Sequence, residues 1–267
     1  MGLFFKTYAF LFGRRFLLKS NQIINQLSLR SIGILNSQNS YLSGERAWLQ
    51  EQIGAKDSLL IIDVGANVGN YSKEILKINS NAIIYAFEPH PETYDLLKKN
   101  IVANNFITFN FGVGDRREEL MLYDYESESG SEHASLYKAV IEDLRNKPSI
   151  ANKVQIIKLD DFLADQKIEY VDLLKIDTEG NEYKVLLGAH DYLLNNRIAA
   201  IQFEFNEMNV ISRTFFKDFW DLLPNYNFFR LLPGGGLLHI KEYSPVNCEI
   251  FAFQNIVATL KDSKKIV

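Results

Sequence analysis

Short, mostly apolar runs that alternate with helical stretches constrain this chain more than any other feature. Leu59-Leu60-Ile61-Ile62 has no polar alternation, as expected of a strand covered on both faces. A second such run spans Ala82 to Phe87, and mostly apolar runs with two polar residues each follow at Phe106 to Phe111, Val171 to Ile176 and Ile198 to Phe205. Helical spacing fills residues 68–78, residues 91–103 with Pro91 in the first turn, the stretch after 176 through about 194, and residues 214–223. Shorter strands are expected at 119–124 and 154–159, around a polar excursion, and at Phe228 to Leu232, Leu237 to Ile240 and Glu249 to Phe253. Strand–helix alternation of this kind predicts an α/β domain: a mostly parallel, Rossmann-like sheet with helices on both faces. Such sheets bind ligands beyond the carboxyl ends of their strands, where the strand order reverses. The predicted division is an N-terminal helical segment over 1–56, with Gly44 or Gly54 as stops, and the Rossmann-like domain over 57–267.

The strand ends carry the chemistry. Asp63-Val64-Gly65-Ala66-Asn67-Val68-Gly69 leaves a buried strand and enters a helix. Gly65 permits a tight turn, and Gly69 lets a ligand or strand come close to the helix. The spacing is not the G-x-G-x-x-G of a dinucleotide loop, and Asp63 would repel a diphosphate. A ligand with a cationic amine and no phosphate suits it better, and S-adenosylmethionine has that charge pattern. An ordinary βα turn is the plain alternative. Glu88, nineteen residues past Gly69, closes the next strand and can accept from vicinal ribose hydroxyls, or else cap the following helix. Phe111-Gly112-Val113-Gly114-Asp115 offers small residues for an adenine, with Asp115 near its exocyclic amine, or simply a turn.

Asp177 and Glu179 follow the strand ending at Ile176, where they either cap a helix or face a substrate. Glu204 lies between Phe203 and Phe205, a costly place for a carboxylate unless it is paired; burial there would raise its pKa and suit it to proton transfer. His133, in the polar loop from Ser129 to Ser135, and His239, after Gly234-Gly235-Gly236, are further candidates for a base or for substrate contact, with a plain surface role as the alternative. His90 and His190 read as loop or helix-surface residues.

Charge is uneven along the chain. The net is −4, which gives no reason to expect nucleic-acid affinity. Residues 1–44 hold Lys6, Arg14, Arg15, Lys19 and Arg30 and no acid, leaving 24 basic against 33 acidic residues elsewhere. Residues 3–18 are too short and too charged for a spanning helix, and lack the order of a signal peptide. Residues 1–30 are expected to form a helical cap or a homodimer contact, or to rest on an anionic membrane. The lone Cys248 reads as a structural thiol in an apolar, strand-like run, in a reducing, cytoplasmic setting. No metal-ligand spacing is present.

Taken together, these pieces resemble the FkbM family of methyltransferases. The matching segments are Asp63 to Gly69, Ala86-Phe87-Glu88-Pro89, Leu159-Asp160-Asp161-Phe162, Leu174 to Glu182 and Phe203-Glu204, in the family's order across roughly 58–256. The resemblance implies a class I methyltransferase sheet of seven strands with an antiparallel strand near the C-terminus. It also implies S-adenosylmethionine as cofactor and O-methylation of a sugar, glycan or natural-product hydroxyl. By resemblance, Asp63, Gly65, Asn67, Gly69 and Glu88 map onto the cofactor site, and Asp177, Glu179 and Glu204 face the acceptor. The expected catalytic candidates are Glu204, Asp177 and His133, with Gly112 and Asp115 beside the cofactor and Glu179 and His239 beside the acceptor. A nicotinamide-type oxidoreductase and a non-catalytic cofactor-binding protein are the competing expectations.

Overall fold

A computed structural model describes residues 2–37, 39–126, 130–131 and 133–261. Four helices come first: α1 (Leu3–Phe12), α2 (Leu18–Ser31), α3 (Ser40–Ser43) and α4 (Glu45–Ile53). Next follow β1 (Leu60–Val64), α5 (Asn70–Ile78), β2 (Ile83–Phe87), α6 (Pro91–Asn100) and β3 (Phe106–Phe109). The excursion comprises β4 (Gly112–Gly114), β5 (Glu118–Tyr125) and β6 (Ser149–Lys158). The chain then runs through α7 (Leu159–Asp165), β7 (Val171–Ile176), α8 (Glu182–Gly188), α9 (His190–Leu194) and β8 (Ile198–Phe205). It closes with α10 (Met208–Ser212), α11 (Phe216–Leu222), β9 (Tyr226–Leu231), β10 (Leu237–Ile240), α12 (Pro245–Cys248) and β11 (Gln254–Leu260).

The main sheet has the order β10-β9-β11-β8-β7-β1-β2-β3. β3, β2, β1, β7 and β8 run parallel, and β11 inserts antiparallel between β8 and β9. The mostly parallel sheet and the antiparallel strand near the C-terminus are therefore both present. The sheet has eight strands rather than seven, because β10 folds back on β9 through the Gly234-Gly235-Gly236 turn and extends the edge. β1 shows how the core divides. Ile62 and Val64 pack with α7, α8, α9 and α11 on one face, while Ile61 packs with α4, α5 and α6 on the other. A nearly continuous apolar run, broken here by Asp63 only at the end that meets the site, is what such double coverage favours.

Three local expectations fail for identifiable reasons. Residues 249–253 are not a strand; the strand begins at Gln254, and Cys248 ends the short helix α12, fully buried. Glu249 is turned out of the sheet to accept from the Phe216 and Lys217 N–H groups at the start of α11 (2.8 and 2.9 Å). His90 is 1% exposed rather than on the surface, because Asp124 and Asn152 of the small sheet cover it. The helix after β7 breaks at Ala189 into α8 and α9. The excursion is a second sheet, β4-β6-β5, which leans over the carboxyl ends of the main strands.

The N-terminal segment is not one unit. α1 and α2 bury no side chain. Ile34, Trp48, Leu49 and Ile53 are buried, the last three against Leu59, Ile61, Leu173 and Ala200 of the sheet. Packing of the Rossmann-like domain thus reaches well before residue 57.

Candidate active site

β2 and β3 lie to one side of β1, and β7 and β8 to the other, so the strand order reverses at the carboxyl end of β1. A cavity of about 530 Å³ opens there, within the size range of small-molecule sites. The turn after β1 forms its floor. Gly65 has φ +79°, and a Cβ on it would lie 1.8 Å from the Asp177 carbonyl oxygen, so only glycine lets the β1 and β7 ends meet. The Gly65 and Ala66 N–H groups donate to the Phe87 carbonyl (3.0 and 2.9 Å), tying the turn to the end of β2.

Glu88 is held by that turn. Its Oε2 accepts from the Asn67 N–H (2.9 Å) and its Oε1 from the His90 N–H (2.8 Å). Burial pushes its pKa up to about 7, against those two hydrogen bonds. Asp63 is 1% exposed and accepts from the Ser72 hydroxyl at 2.6 Å; burial raises its pKa to about 6. Asp63, Gly65, Asn67, Glu88 and Gly112 all line the cavity. Gly69 does not, and its bare Cα faces Leu97 and Ile101, where a Cβ would lie within 2.8 Å of both side chains. Its place is explained by helix packing. Asp115 also stands outside the cavity wall, which on that side is Phe111, Gly112 and Val113.

The opposite wall carries a charge cluster. Asp177, Glu179 and Glu204 line the cavity together with Lys175, which was not singled out from the sequence. Lys175 Nζ lies 3.1 Å from an Asp177 carboxylate oxygen and 5.2 Å from the centre of the Tyr71 ring. Burial works to depress its pKa, yet Asp177, Glu204, Glu45 and Asp63 hold it above the ordinary lysine value. Glu204 is driven well above the ordinary carboxylate range, first by burial and then by neighbouring Asp177. It therefore combines the proton-holding character read from the sequence with the lysine neighbour of the structural alternative.

Glu179 pairs with His133 Nδ1 at 3.3 Å and Arg145 at 3.2 Å. Glu179 does not cap the helix; Glu182 closes the turn that precedes α8 by accepting from the Thr178 and Gly180 N–H groups (3.0 and 3.1 Å), and α8 has no side-chain cap. His133 lines the cavity, on a flap anchored by buried Asp124, which accepts from the Gly130 and Ser131 N–H groups at 2.7 and 2.9 Å. Ser129 and Glu132 of that loop lie outside the described residues. His239 is exposed on the edge strand β10, stacked on Phe229 and away from the cavity, because β10 is the strand added outside the expected seven.

Sequence reading missed Glu45, Tyr71 and Arg145. Glu45 opens α4 and accepts from the Gln202 side-chain amide, whose oxygen takes the Tyr71 hydroxyl at 2.8 Å. Burial raises its pKa, and it sits in the cavity wall with Tyr41 and Arg46. Its partner is 157 residues away, and nothing local in the sequence marks such a contact.

The site's motifs agree with what the chain resembles in sequence. The Methyltransferase FkbM domain model matches residues 63–229. Methyltransferase sdnD of Sordaria araneosa is 30% identical over 156 residues, covering 49% of this chain and 60% of that protein. The 2-O-methyltransferase NoeI of Sinorhizobium fredii is 22% identical over 189 residues, covering 67% and 77%. A precorrin-6y C5,15-methyltransferase structure from Geobacter metallireducens aligns with a TM-score of 0.42 at 14% identity, covering 80% of this chain and 86% of that one. The chain spans about 60% of the length of the first curated relatives it matches. More than half of the chain fits the family model, so it belongs to the FkbM methyltransferase domain family.

Proposed function

We propose that this protein transfers a methyl group from S-adenosylmethionine to a hydroxyl of a sugar, glycan or natural-product acceptor. The observation that carries this reading is the shared cavity: Asp63 and Glu88 line one side of it, and the buried carboxylate Glu204 lies opposite. The cofactor fits the first side on chemistry. Asp63 suits an α-ammonium. Glu88 has spent one lone pair per oxygen on backbone N–H groups and keeps the others for ribose hydroxyls. Gly65 and Gly112 bring the backbone close there without a Cβ, and Asn67 lines the cavity beside them in a left-handed conformation (φ +49°). Gly69 and Asp115 act outside this contact. Family membership removes the oxidoreductase alternative.

When bound, S-adenosylmethionine supplies a sulfonium methyl to an attacking oxygen. The chain's own task is to align the acceptor hydroxyl and take its proton. Glu204 is the proposed base, since burial raises its proton affinity well above that of an ordinary carboxylate. Asp177 and Lys175 set the charge beside it, and the Glu179–His133 pair orients the acceptor from the flap. The relative named a 2-O-methyltransferase supports oxygen as the accepting atom.

The test has two steps. Calorimetry with S-adenosylhomocysteine is expected to give saturable heat; none from well-folded protein would end the cofactor reading. Trideuteromethyl donor is then offered with sugars, glycans and hydroxylated natural products, and products are read by mass spectrometry. Binding without transfer to any acceptor would favour a non-catalytic role, and transfer to amines alone would remove the hydroxyl assignment.

A further inference from the structure

The first two helices stand apart from the cavity, and their surface is unusual. On α1, Leu3, Phe4, Phe5, Phe10, Leu11 and Phe12 are all exposed, Leu3 and Phe4 at 81% and 74%. At helical spacing these residues and Tyr8 spread over more than half of the circumference, leaving Lys6 and Ala9 on the remainder. Phe16, in the turn before α2, and Ile23, Ile24 and Leu27 on α2 are exposed as well. An apolar surface of this extent marks a contact.

Charge selects the occupant. The segment carries Lys6, Arg14, Arg15, Lys19 and Arg30, with no acid through residue 44, on a chain whose remainder is acidic. A two-fold pairing of copies through this face would set five cations against five. No helix among the described residues is long and apolar enough to cross a membrane. The ten residues of α1 reach about 15 Å, half the hydrocarbon thickness of a bilayer.

We propose that α1 and α2 lie in the interface of an anionic lipid bilayer, with the aromatic face of α1 at the acyl boundary and the cations among the headgroup phosphates. The two contributions are separable. Aromatic burial supplies depth, and the lysines and arginines supply preference for anionic lipid, weakened by salt.

Flotation of the full chain with two vesicle types tests this: phosphatidylcholine alone, and phosphatidylcholine with about a third phosphatidylglycerol. At about 0.1 M salt the chain is expected to float with the anionic vesicles and stay largely behind with the neutral ones. Arg15→Gln with Lys19→Gln is expected to weaken binding about thirtyfold. Phe5→Ser with Phe10→Ser should abolish it. Unchanged melting temperatures would show both variants folded. Three results would overturn the proposal: no flotation with anionic vesicles, equal flotation with both vesicle types, or flotation that neither variant alters. A lipid-free dimer by analytical ultracentrifugation that Phe5→Ser with Phe10→Ser dissolves would overturn it too, by giving the face to a second copy.

Discussion

Two carboxylates at the strand ends, Asp63 and Glu88, make the ligand-free protein sensitive to pH in an unusual direction. Burial raises Asp63 from 3.8 to about 6 and Glu88 from 4.5 to about 7. Between the ordinary and the raised values the folded chain holds protons that the unfolded chain has released. The stability this confers is complete below the ordinary carboxylate values and is lost as pH rises through the raised ones. The melting temperature of the ligand-free protein is therefore expected to fall from pH 5.5 to pH 8. S-adenosylhomocysteine, whose ribose needs the ionised Glu88 as acceptor, should stabilise most at the upper end. Scanning fluorimetry with and without the ligand reads both trends; a flat ligand-free profile would contradict the burial argument. Glu204→Gln should lower kcat by about 10²- to 10⁴-fold with S-adenosylhomocysteine affinity unchanged, measured by methyl transfer and calorimetry. A loss smaller than tenfold would pass the role of base to Asp177 or His133. These carboxylates were legible because each interrupts or ends an apolar run, which is expensive without a purpose. Glu45 and Arg145 were not, because their partners Gln202 and Glu179 are distant in sequence.

Elements were legible in proportion to how fully the sheet buries them. β7 and β8 begin and end where their mostly apolar runs do, because both faces are covered; of the polar residues they carry, Lys175, Gln202 and Glu204 reach the charge cluster and its hydrogen bonds. β5 and β6 are longer than expected, since one face of the small sheet is open and polar residues continue the strands. The strand expected at 249–253 failed for the opposite reason: apolar Phe251 packs against the core from a loop. The turn joining β1 to α5 gives a test of what glycine does at this scale. Gly65 and Gly234 have similar backbone angles, φ +79° and +88°. A Cβ on Gly65 meets the Asp177 carbonyl at 1.8 Å, whereas one on Gly234 meets nothing within 4 Å. Gly234→Ala should cost only the left-handed backbone penalty, about 1–2 kcal/mol. Gly65→Ala adds a collision between β1 and β7 and should cost clearly more, with loss of S-adenosylhomocysteine binding. Urea denaturation of both variants measures the difference. Equal costs would mean that the β1–β7 approach is not tight.

At the scale of the whole molecule, the boundary expected at residue 57 separates things that the structure keeps together. A change from helical spacing to strand–helix alternation is visible in sequence there, but where a helix packs is not. α4 is only nine residues long, yet Trp48, Leu49 and Ile53 cover one face of the sheet, and Glu45 enters the cavity wall. Ile34 is also fully buried. Burial of four such side chains contributes roughly 6–12 kcal/mol in total, comparable with the whole stability of a domain. α1 and α2 contribute no buried side chain, so they add little to that sum. A chain starting at Ile32 is therefore expected to keep its melting temperature within a few degrees and to bind S-adenosylhomocysteine as the full chain does, while losing any hold on anionic vesicles. A chain starting at Asp57 should expose Leu59, Ile61, Leu173 and Ala200, open the cavity beside Tyr71 and Gln202, and aggregate or melt far lower. Parallel melts and calorimetry of the two truncations decide the matter. Equal stability and ligand affinity in both would return residues 32–56 to the status of an appendage.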